Sequence, residues 1–392
     1  MALELNKLAK SIEQLGENTA HRLKTLEQRL PAAEIVLNAM AADPAKLQRQ
    51  IEKALKLKWR GAIPTHEPVN AIYPQPQLPT RFNFVAADGS QIYPDRHGLG
   101  LYYLINVGSI VIRYGTGEAP VCNSLPQLFF DDQDLYYEGE DFPITSERVN
   151  ARRDAEEVAE LARLTPLEAD SAPTVAVIDG TLRLASNARE QNRAFVDDVR
   201  KKYLDHLDAV KASRAALAGV IDRSASDWVV RLLNLASLEP DEMTQQAFDE
   251  TDLFPGATDT DLFHRLKFGE RSALFTTTPP PHDLYSERGH HVHFFYLNAG
   301  QPPNDSPLRV EVPEWVARDQ AKLDLVHASA VEQSQHTGGY PYALTRTHEL
   351  AVVAVAEHRA LDELLVAALV RHGIAPNVSQ KARGKAMVAK RR

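Results

Sequence analysis

Two short apolar runs that each end in Asp-Gly constrain this chain more than any other feature. Residues 85–89 read Val-Ala-Ala-Asp-Gly, and residues 175–180 read Val-Ala-Val-Ile-Asp-Gly. Such a run predicts a buried strand that ends in a sharp turn, which places Asp88 and Asp179 at strand ends. Two such carboxylates on neighbouring strands can bind Mg²⁺ or Mn²⁺, which prefer oxygen ligands. Because Asp-Gly is also a common turn signal, the pattern alone leaves a purely structural interpretation equally open.

Further motifs accompany the two acids along most of the chain. They are the segments 88–97 (DGSQIYPDRH), 102–108 (YYLINVG), 219–223 (GVIDR), 269–272 (GERS), 294–298 (FFYLN), 310–315 (VEVPEW) and 339–342 (GYPY), followed by His348. In order and spacing they resemble the NurA nuclease family over roughly residues 80 to 372. The resemblance implies a ribonuclease H-like α/β fold, in which a mixed sheet flanked by helices carries catalytic acids at strand ends.

The same resemblance implies a set of site residues. Four of them follow from the matching motifs: Asp88, Asp179, Tyr340 and His348. The family's glutamate lies on the helix before the second acidic strand, where this sequence has Glu156, Glu157 and Glu160. We expect Glu160 in this role, with Glu157 as the second choice, although no local motif distinguishes them.

These residue types suit the cleavage of a phosphodiester bond. Two metal ions about 4 Å apart can lower the pKa of a nucleophilic water and stabilise the leaving oxygen. The resemblance makes Asp88, Glu160 and Asp179 the metal ligands. His348 would bind a metal or orient the water as a base, and Tyr340 would bond a phosphate oxygen or stack on a base. The structural alternatives are a turn tyrosine and a histidine that merely begins a helix.

The resemblance implies a Mn²⁺-dependent DNA nuclease, with Mg²⁺ as the alternative ion. It would degrade single-stranded and duplex DNA from ends with 5′ to 3′ polarity and show some single-strand endonuclease activity. A homodimer working with a HerA-type hexameric ATPase in end resection for recombinational repair is expected. The alternatives are a non-catalytic DNA-end clamp or adaptor for that translocase, a nuclease in defence against foreign DNA, and RNA as the substrate.

The charge distribution bears on how DNA would bind. The net charge is −9, and both ends of the chain carry a surplus of basic residues, so the central part is strongly acidic. Such a body repels DNA unless basic side chains line one groove. The candidates near the motifs are Arg96, Arg113, Arg183 and Arg271, each of which could instead form a surface ion pair.

The pattern predicts four regions. Residues 1–60 form a helical extension whose apolar stripe either packs on the catalytic domain or docks a second protomer or the ATPase. Residues 61–79 are a Pro-rich linker, and residues 80–372 are the nuclease domain. Residues 373–392 form a basic tail, which either grips the phosphate backbone or is a solvated end.

Several local features complete the prediction. A helix break is expected at Pro31, two separate strands at residues 101–107 and 109–114, and one long helix at residues 348–372. No apolar run is long enough for a membrane span, and the first residues lack the apolar core of a signal peptide, so we expect a cytoplasmic protein. Cys122 is the only cysteine, which excludes an internal disulfide.

Overall fold

In a computed structural model, the described residues are 5–95, 100–137, 143–184, 193–279, 282–303 and 305–374, without the side chain of Leu23. The predictions for Arg96 and for the basic tail beyond residue 374 lie outside this part of the chain. The chain forms two compact units, the first from Met1–Pro76 with Ile221–Ala317 and the second from Gln77–Val220 with Arg318–Arg392.

The strands of the described residues, in chain order, are β1 (Ala62–Pro64), β2 (Ile72–Tyr73), β3 (Phe82–Ile92), β4 (Tyr103–Tyr114), β5 (Val121–Phe129), β6 (Thr174–Asp179), β7 (Ala216–Ile221), β8 (Arg271–Ser272), β9 (Phe275–Thr277), β10 (Val292–Leu297) and β11 (Leu308–Pro313). The α-helices are α1 (Ala9–Ala42), α2 (Pro44–Lys56), α3 (Asp132–Leu135), α4 (Ser146–Ala169), α5 (Arg193–Ala212), α6 (Trp228–Ala236), α7 (Gln245–Glu250), α8 (Asp259–Leu262), α9 (Leu284–Glu287), α10 (Glu314–Ala317), α11 (Gln320–Ser334), α12 (Tyr342–Ala351) and α13 (Val355–Arg371). Short 3₁₀ turns lie at Leu5–Leu8 and Pro240–Glu242.

The second unit is built on a mixed sheet with the strand order β5-β4-β3-β6-β7. Strands β3, β4 and β5 form an antiparallel meander, whereas β6 runs parallel to β3 and β7 parallel to β6. Helix α4 packs on the sheet and against α5, and α12 packs on the opposite face and against α11. This arrangement confirms the predicted ribonuclease H-like mixed sheet flanked by helices.

The two Asp-Gly strands lie in the middle of this sheet. The side chains from Phe84 to Ala87 in β3 and from Val175 to Ile178 in β6 are all buried. Continuous apolar runs of this kind suit strands that are covered by helices on both faces, where alternation with polar residues is absent.

Three local predictions in this unit are wrong. Strand β3 does not end in a turn at Asp88-Gly89 but continues, paired with β4, to Ile92. Strand β4 continues through Gly108 instead of breaking there. The predicted helix at residues 348–372 is two helices, α12 and α13, separated by residues 352–354. Helix α12 ends at Ala351 because Asn106 Nδ2 donates to the carbonyl oxygens of Leu350 and Ala351, at 3.1 and 2.8 Å, and so takes the place of the next helical turn.

The first unit contains an antiparallel sheet with the order β1-β9-β10-β11, to which β8 and β2 are added beside β10. Its core is shared by α1, α2 and α6, through apolar side chains that include Leu37, Ile51 and Leu232. Asp259 stabilises the start of α6, since its Oδ1 accepts hydrogen bonds from the backbone N–H groups of Val229 and Val230 at 2.8 and 3.0 Å.

The predicted helix break at Pro31 is also wrong. Helix α1 runs through Pro31, and the break comes at Asp43, whose side chain accepts a hydrogen bond from Lys46 N at 2.9 Å and caps α2. The helix tolerates the lost hydrogen bond at Pro31 because the following turns bury Ala33 and Leu37. Among the described helices, none combines the length and apolar content that crossing a bilayer requires.

Candidate active site

Asp88 and Asp179 lie side by side in the sheet of the second unit, at the point where β6 ends beside the longer strand β3. Strands β3 and β6 pair in parallel with Ala87 opposite Ile178, so the next residue of each strand is an aspartate at the same level. The Asp88 side chain is anchored by the backbone N–H of Gly89, which donates to Oδ1 at 2.8 Å. Both aspartates line a cleft of about 420 Å³.

Glu157 enters this cleft from helix α4. Gly89 makes the approach possible, because a Cβ atom at this position would lie 2.7 Å from Glu157 Oε1. The pKa of Glu157 is raised well above its ordinary value by burial, and the charges of Asp154, Asp88 and Asp179 raise it further, against the lowering effect of Arg153. The acids of the cleft therefore share one electrostatic environment.

Glu160, the glutamate chosen from the sequence, does not lie with them. Its carboxylate accepts hydrogen bonds from Ser109 Oγ at 2.8 Å and from the guanidinium of Arg163 at 2.7 Å, and it does not line the cleft. Glu156 has a contact of 3.5 Å with Gln127 and is also outside the cleft. The structure thus brings the second choice, Glu157, to the two aspartates, because the helix turns Glu160 towards β4.

The sequence offers no signal that separates the two glutamates. Glu157 has an arginine four residues earlier and Glu160 has one three residues later, and both spacings permit an ion pair on a helix. The distinction comes from the packing of α4 on the sheet, which places Glu157 against Gly89 and Glu160 against Ser109.

His348 reaches the cleft from helix α12. Its Nδ1 lies 2.9 Å from Asp88 Oδ2, and its side chain is 64% exposed. Side chains of β3 and β4 bind the last turn of this helix. Ser90 Oγ donates to the carbonyl oxygen of Ala351 at 2.5 Å, and Asn106 Nδ2 donates to the same oxygen at 2.8 Å. Gly108 allows the close approach, since a Cβ atom there would lie 2.4 Å from the carbonyl oxygen of Thr347.

Sequence reasoning missed Arg153 and Asp154, which also line the cleft. Arg153 Nη2 lies 2.6 Å from Asp154 Oδ1, and Arg153 Nε lies 3.2 Å from Glu157 Oε1. Burial raises the pKa of Asp154, although Arg153 opposes the rise. The spacing of Arg153 and Glu157 permits an ion pair on a helix, but it does not indicate that either residue lies in a cleft.

The other predicted residues fall in different places. Tyr340 lies in the turn before α12, where its carbonyl oxygen accepts a hydrogen bond from Thr337 Oγ1, and it is not among the residues that line the cleft. Arg183 lines the cleft, on the segment after β6. Arg113 forms a bidentate ion pair with Glu168, with distances of 2.7 and 2.6 Å.

Arg271 is not suited to bind DNA. Its side chain is 1% exposed, and its guanidinium forms a bidentate pair with Glu67 at 2.8 and 3.0 Å within the first unit. The same guanidinium lies over the ring of Tyr73. An arginine that is buried and paired in this way is not exposed to a phosphate at the surface.

The donor set of the cleft fits a divalent cation in its chemistry. It consists of carboxylate oxygens and one imidazole, which are ligands that divalent cations accept. A bound cation would also reduce the repulsion between the buried Glu157 and the neighbouring carboxylates. Within the described ranges, no three acidic, histidine or cysteine side chains form a ready-made metal cage. The side chains that supply these donor atoms are Asp88, Glu157, Asp179 and His348.

Comparison with known proteins adds the family. The NurA domain matches residues 82–353. The solved structures to which the chain is similar include the NurA nuclease from Sulfolobus solfataricus, at 12% identity and a TM-score of 0.49. The similarity covers 86% of this chain and 94% of that one. The catalytic domain of human endonuclease V has 14% identity and a TM-score of 0.34, with 81% of this chain and 98% of that one covered.

A third structure, LC9-RNase H1, a type 1 RNase H, has 13% identity and a TM-score of 0.22, with 43% of this chain and 77% of that one covered. Among curated proteins, none matches the sequence. The family match spans well over half of the chain and includes the four cleft residues Asp88, Glu157, Asp179 and His348. The chain belongs to the NurA family.

Proposed function

We propose that the chain is a metal-dependent DNA nuclease that degrades strands from ends with 5′ to 3′ polarity and has some single-strand endonuclease activity. Membership of the NurA family supports a nuclease. The observation that carries the proposal is the convergence of Asp88, Glu157, Asp179 and His348 on one cleft. These side chains come from three motifs and one helix that are far apart in sequence.

The carboxylates of Asp88, Glu157 and Asp179 would hold the metal, with Glu157 in place of Glu160. We propose Mn²⁺, with Mg²⁺ as the alternative. Bound ions of this kind supply a nucleophilic water of lowered pKa and stabilise the leaving oxygen. Asp88 also holds His348 at 2.9 Å. His348 is exposed enough to meet the substrate and would take the proton of the attacking water or bind a metal.

DNA would reach the cleft through contacts at its edge. Arg183 lines the cleft and offers a guanidinium for a phosphate oxygen, which supports its predicted role. Tyr340 precedes the helix that carries His348, and we retain its proposed contact with the phosphate or a base from the family resemblance. Arg96 and the basic tail stay predictions from the sequence.

We further propose a homodimer that works with a HerA-type hexameric ATPase in end resection for recombinational repair. Two exposed apolar surfaces support an intermolecular contact. Helix α13 buries none of its 17 residues, and Leu364 is 68% exposed. At the start of the chain, Ile12 and Leu15 are 56% and 66% exposed. Since a helix of this length is marginal alone in water, a covering surface would stabilise it.

The function is tested with linear DNA labelled at the 5′ or the 3′ end, single-stranded and duplex, in Mn²⁺, Mg²⁺ or EDTA, together with a matched RNA. The comparison is between the wild type, Asp88→Ala and Asp170→Ala, a control whose aspartate is exposed at the end of α4. We expect degradation that EDTA and Asp88→Ala abolish and Asp170→Ala retains. The position of the label in the products gives the polarity.

The same assay separates the alternatives. Preferential cleavage of RNA would overturn the DNA assignment. Absence of cleavage in every metal, also with the cognate ATPase present, would overturn the nuclease and favour the adaptor. Degradation only with the ATPase would retain the nuclease and make it dependent on its partner.

A further inference from the structure

The guanidinium of Arg153 is surrounded by acceptors inside the cleft. Its Nη1 donates to Gln91 Oε1 at 3.0 Å, and its Nη2 and Nε donate to Asp154 Oδ1 at 2.6 and 3.2 Å. Its Nε also forms an ion pair with Glu157 Oε1 at 3.2 Å. The side chain is 28% exposed, compared with 7% for Glu157. Arg153 is therefore a partly covered cation in contact with the carboxylate that we place in the metal site.

The backbone of β3 leaves space for the Arg153 side chain. At Gly89, a Cβ atom would lie 2.8 Å from Arg153 Cγ and 2.7 Å from Glu157 Oε1. Gln91 lies two residues further along β3 and hence on the same face of the sheet. Strand β3 therefore provides both the space for the Arg153–Glu157 pair and a neutral acceptor for the guanidinium. An ion pair formed by chance at the surface would have neither this space beneath it nor this acceptor.

The contact with Glu157 is the one that a metal would disturb. A divalent ion held by Glu157 would lie close to the Arg153 guanidinium, whose Nε is 3.2 Å from Oε1 of the same carboxylate. Two positive groups that share one carboxylate in a partly desolvated cleft repel one another. The charge of Arg153 therefore opposes the binding of a cation at Glu157.

We propose that Arg153 is a positioning residue that holds Glu157 in the metal-free protein and gives up this carboxylate when a divalent cation binds. The guanidinium and the cation compete for Glu157, and the guanidinium keeps Asp154 and Gln91 as its remaining partners. The proposal rests on the metal-dependent function, since it requires Glu157 to be a ligand. Its consequence is that the wild type binds metal less tightly than a variant without the charge of Arg153.

The test is Mn²⁺ binding, measured by titration calorimetry on the full chain without nucleic acid. The variants are Arg153→Gln, which removes the charge, and Arg153→Lys, which keeps it. The matched control is Arg163→Gln, which removes an arginine of the same helix that pairs with Glu160 outside the cleft. Thermal unfolding of each metal-free protein shows whether it is folded and whether Glu157 has lost a stabilising partner.

We expect Arg153→Gln to bind Mn²⁺ about tenfold more tightly than the wild type, with Arg153→Lys and Arg163→Gln close to the wild type. Affinity that is unchanged or weaker in Arg153→Gln would overturn the proposal, and so would an equal gain in Arg163→Gln. If Arg153→Gln does not fold, Mn²⁺ affinity that is unchanged in Glu157→Gln would overturn the proposal, because Glu157 would then not be a ligand. Wild-type protein that binds no Mn²⁺, or binds it equally after Asp88→Asn, would instead overturn the proposed function.

Discussion

The Nδ1 atom of His348 lies 2.9 Å from the Oδ2 atom of Asp88, although 260 positions separate the two residues in the sequence. The contact joins the first acidic motif to the last helix of the matched domain. It uses the aspartate oxygen that Gly89 leaves available, since the backbone N–H of Gly89 binds the other oxygen. The histidine is therefore part of the acidic cleft and not a residue that merely begins a helix.

Replacing His348 by alanine is expected to lower the turnover of DNA by about 10²- to 10⁴-fold, the range for loss of a general acid or base. The free energy of unfolding should change little because the side chain is largely exposed. The measurement is single-turnover cleavage at saturating Mn²⁺, with urea unfolding as the check on folding. Turnover within a few-fold of the wild type would remove His348 from the reaction.

Glu157→Gln and Glu160→Gln should have opposite effects. We expect Glu157→Gln to abolish Mn²⁺-dependent cleavage while the protein remains folded. Glu160→Gln should keep activity but lower the free energy of unfolding by about 1 to 3 kcal/mol, because it weakens a buried hydrogen bond from Ser109 and a partly buried one from Arg163. Cleavage and urea unfolding, measured on both proteins, check this. The reverse pattern would restore Glu160 as the functional glutamate.

Gly108→Ala should impair both folding and catalysis. The added methyl group would meet the carbonyl oxygen of Thr347 at 2.4 Å and the backbone N of Ala351 at 2.8 Å, and would push away the helix that carries His348. We expect a loss of stability of about 1 to 3 kcal/mol and a reduced kcat. Gly100→Ala is the control, since a Cβ atom there meets nothing within 4 Å. Equal behaviour of the two variants would contradict the close packing.

The stability of the first unit should depend on pH through Asp259. Burial raises the pKa of Asp259 from 3.8 to about 7, against hydrogen bonds from Val230 and Tyr296 that lower it. The folded state therefore binds the proton more tightly than the unfolded state, and stability falls as pH rises from about 4 to about 7. Since one pKa unit corresponds to about 1.4 kcal/mol, the loss is a few kcal/mol at most.

Asp259→Asn should flatten this part of the pH dependence and make the protein more stable than the wild type at pH 8. Urea unfolding at several pH values, monitored by tryptophan fluorescence, is the measurement. Asp252→Asn, at an exposed position, is the control. A pH profile of Asp259→Asn that follows the wild type would show that another group is responsible.

The proposed homodimer predicts an effect of a charge on α13. Leu364→Glu places a carboxylate on the exposed apolar surface of this helix and should raise the dimer dissociation constant at least about tenfold. Light scattering after size exclusion measures the mass over a range of concentrations. Glu363→Gln on the same helix serves as the control. A wild type that stays monomeric at high concentration would contradict the homodimer.

The parts of the fold that depend on local sequence were predictable. Strands β3 and β6 contain apolar runs followed by Asp-Gly, so that their positions and the two aspartates follow from neighbouring residues alone. The end of β6 at Asp179 was predictable in the same way, whereas β3 continues beyond Asp88 to Ile92 because it pairs with β4. Gly108 misled the prediction because a glycine inside a strand resembles a turn. Its presence is explained only by helix α12, which packs so closely against Gly108 that a side chain would not fit.

The remaining parts of the site depend on contacts between distant segments. Asn106 ends α12 through carbonyl oxygens that lie 244 and 245 positions later in the chain, and no sequence pattern announces such a pair. The choice between Glu157 and Glu160 depends on the rotation of α4 over Gly89. Arg153 is likewise recognisable only when Gln91 and Glu157 are seen on either side of it.

Consecutive residues of β3 serve opposite sides of the sheet. Asp88 meets the helix of His348, and Gly89 makes room for the helix of Glu157. Inserting or deleting a single residue earlier in this strand would exchange the two sides, placing the carboxylate where the glutamate needs space and the glycine where the histidine needs a partner. Length changes within β3 would therefore destroy the site outright instead of weakening it, whereas a change of length in the loops at its ends would leave this alternation intact.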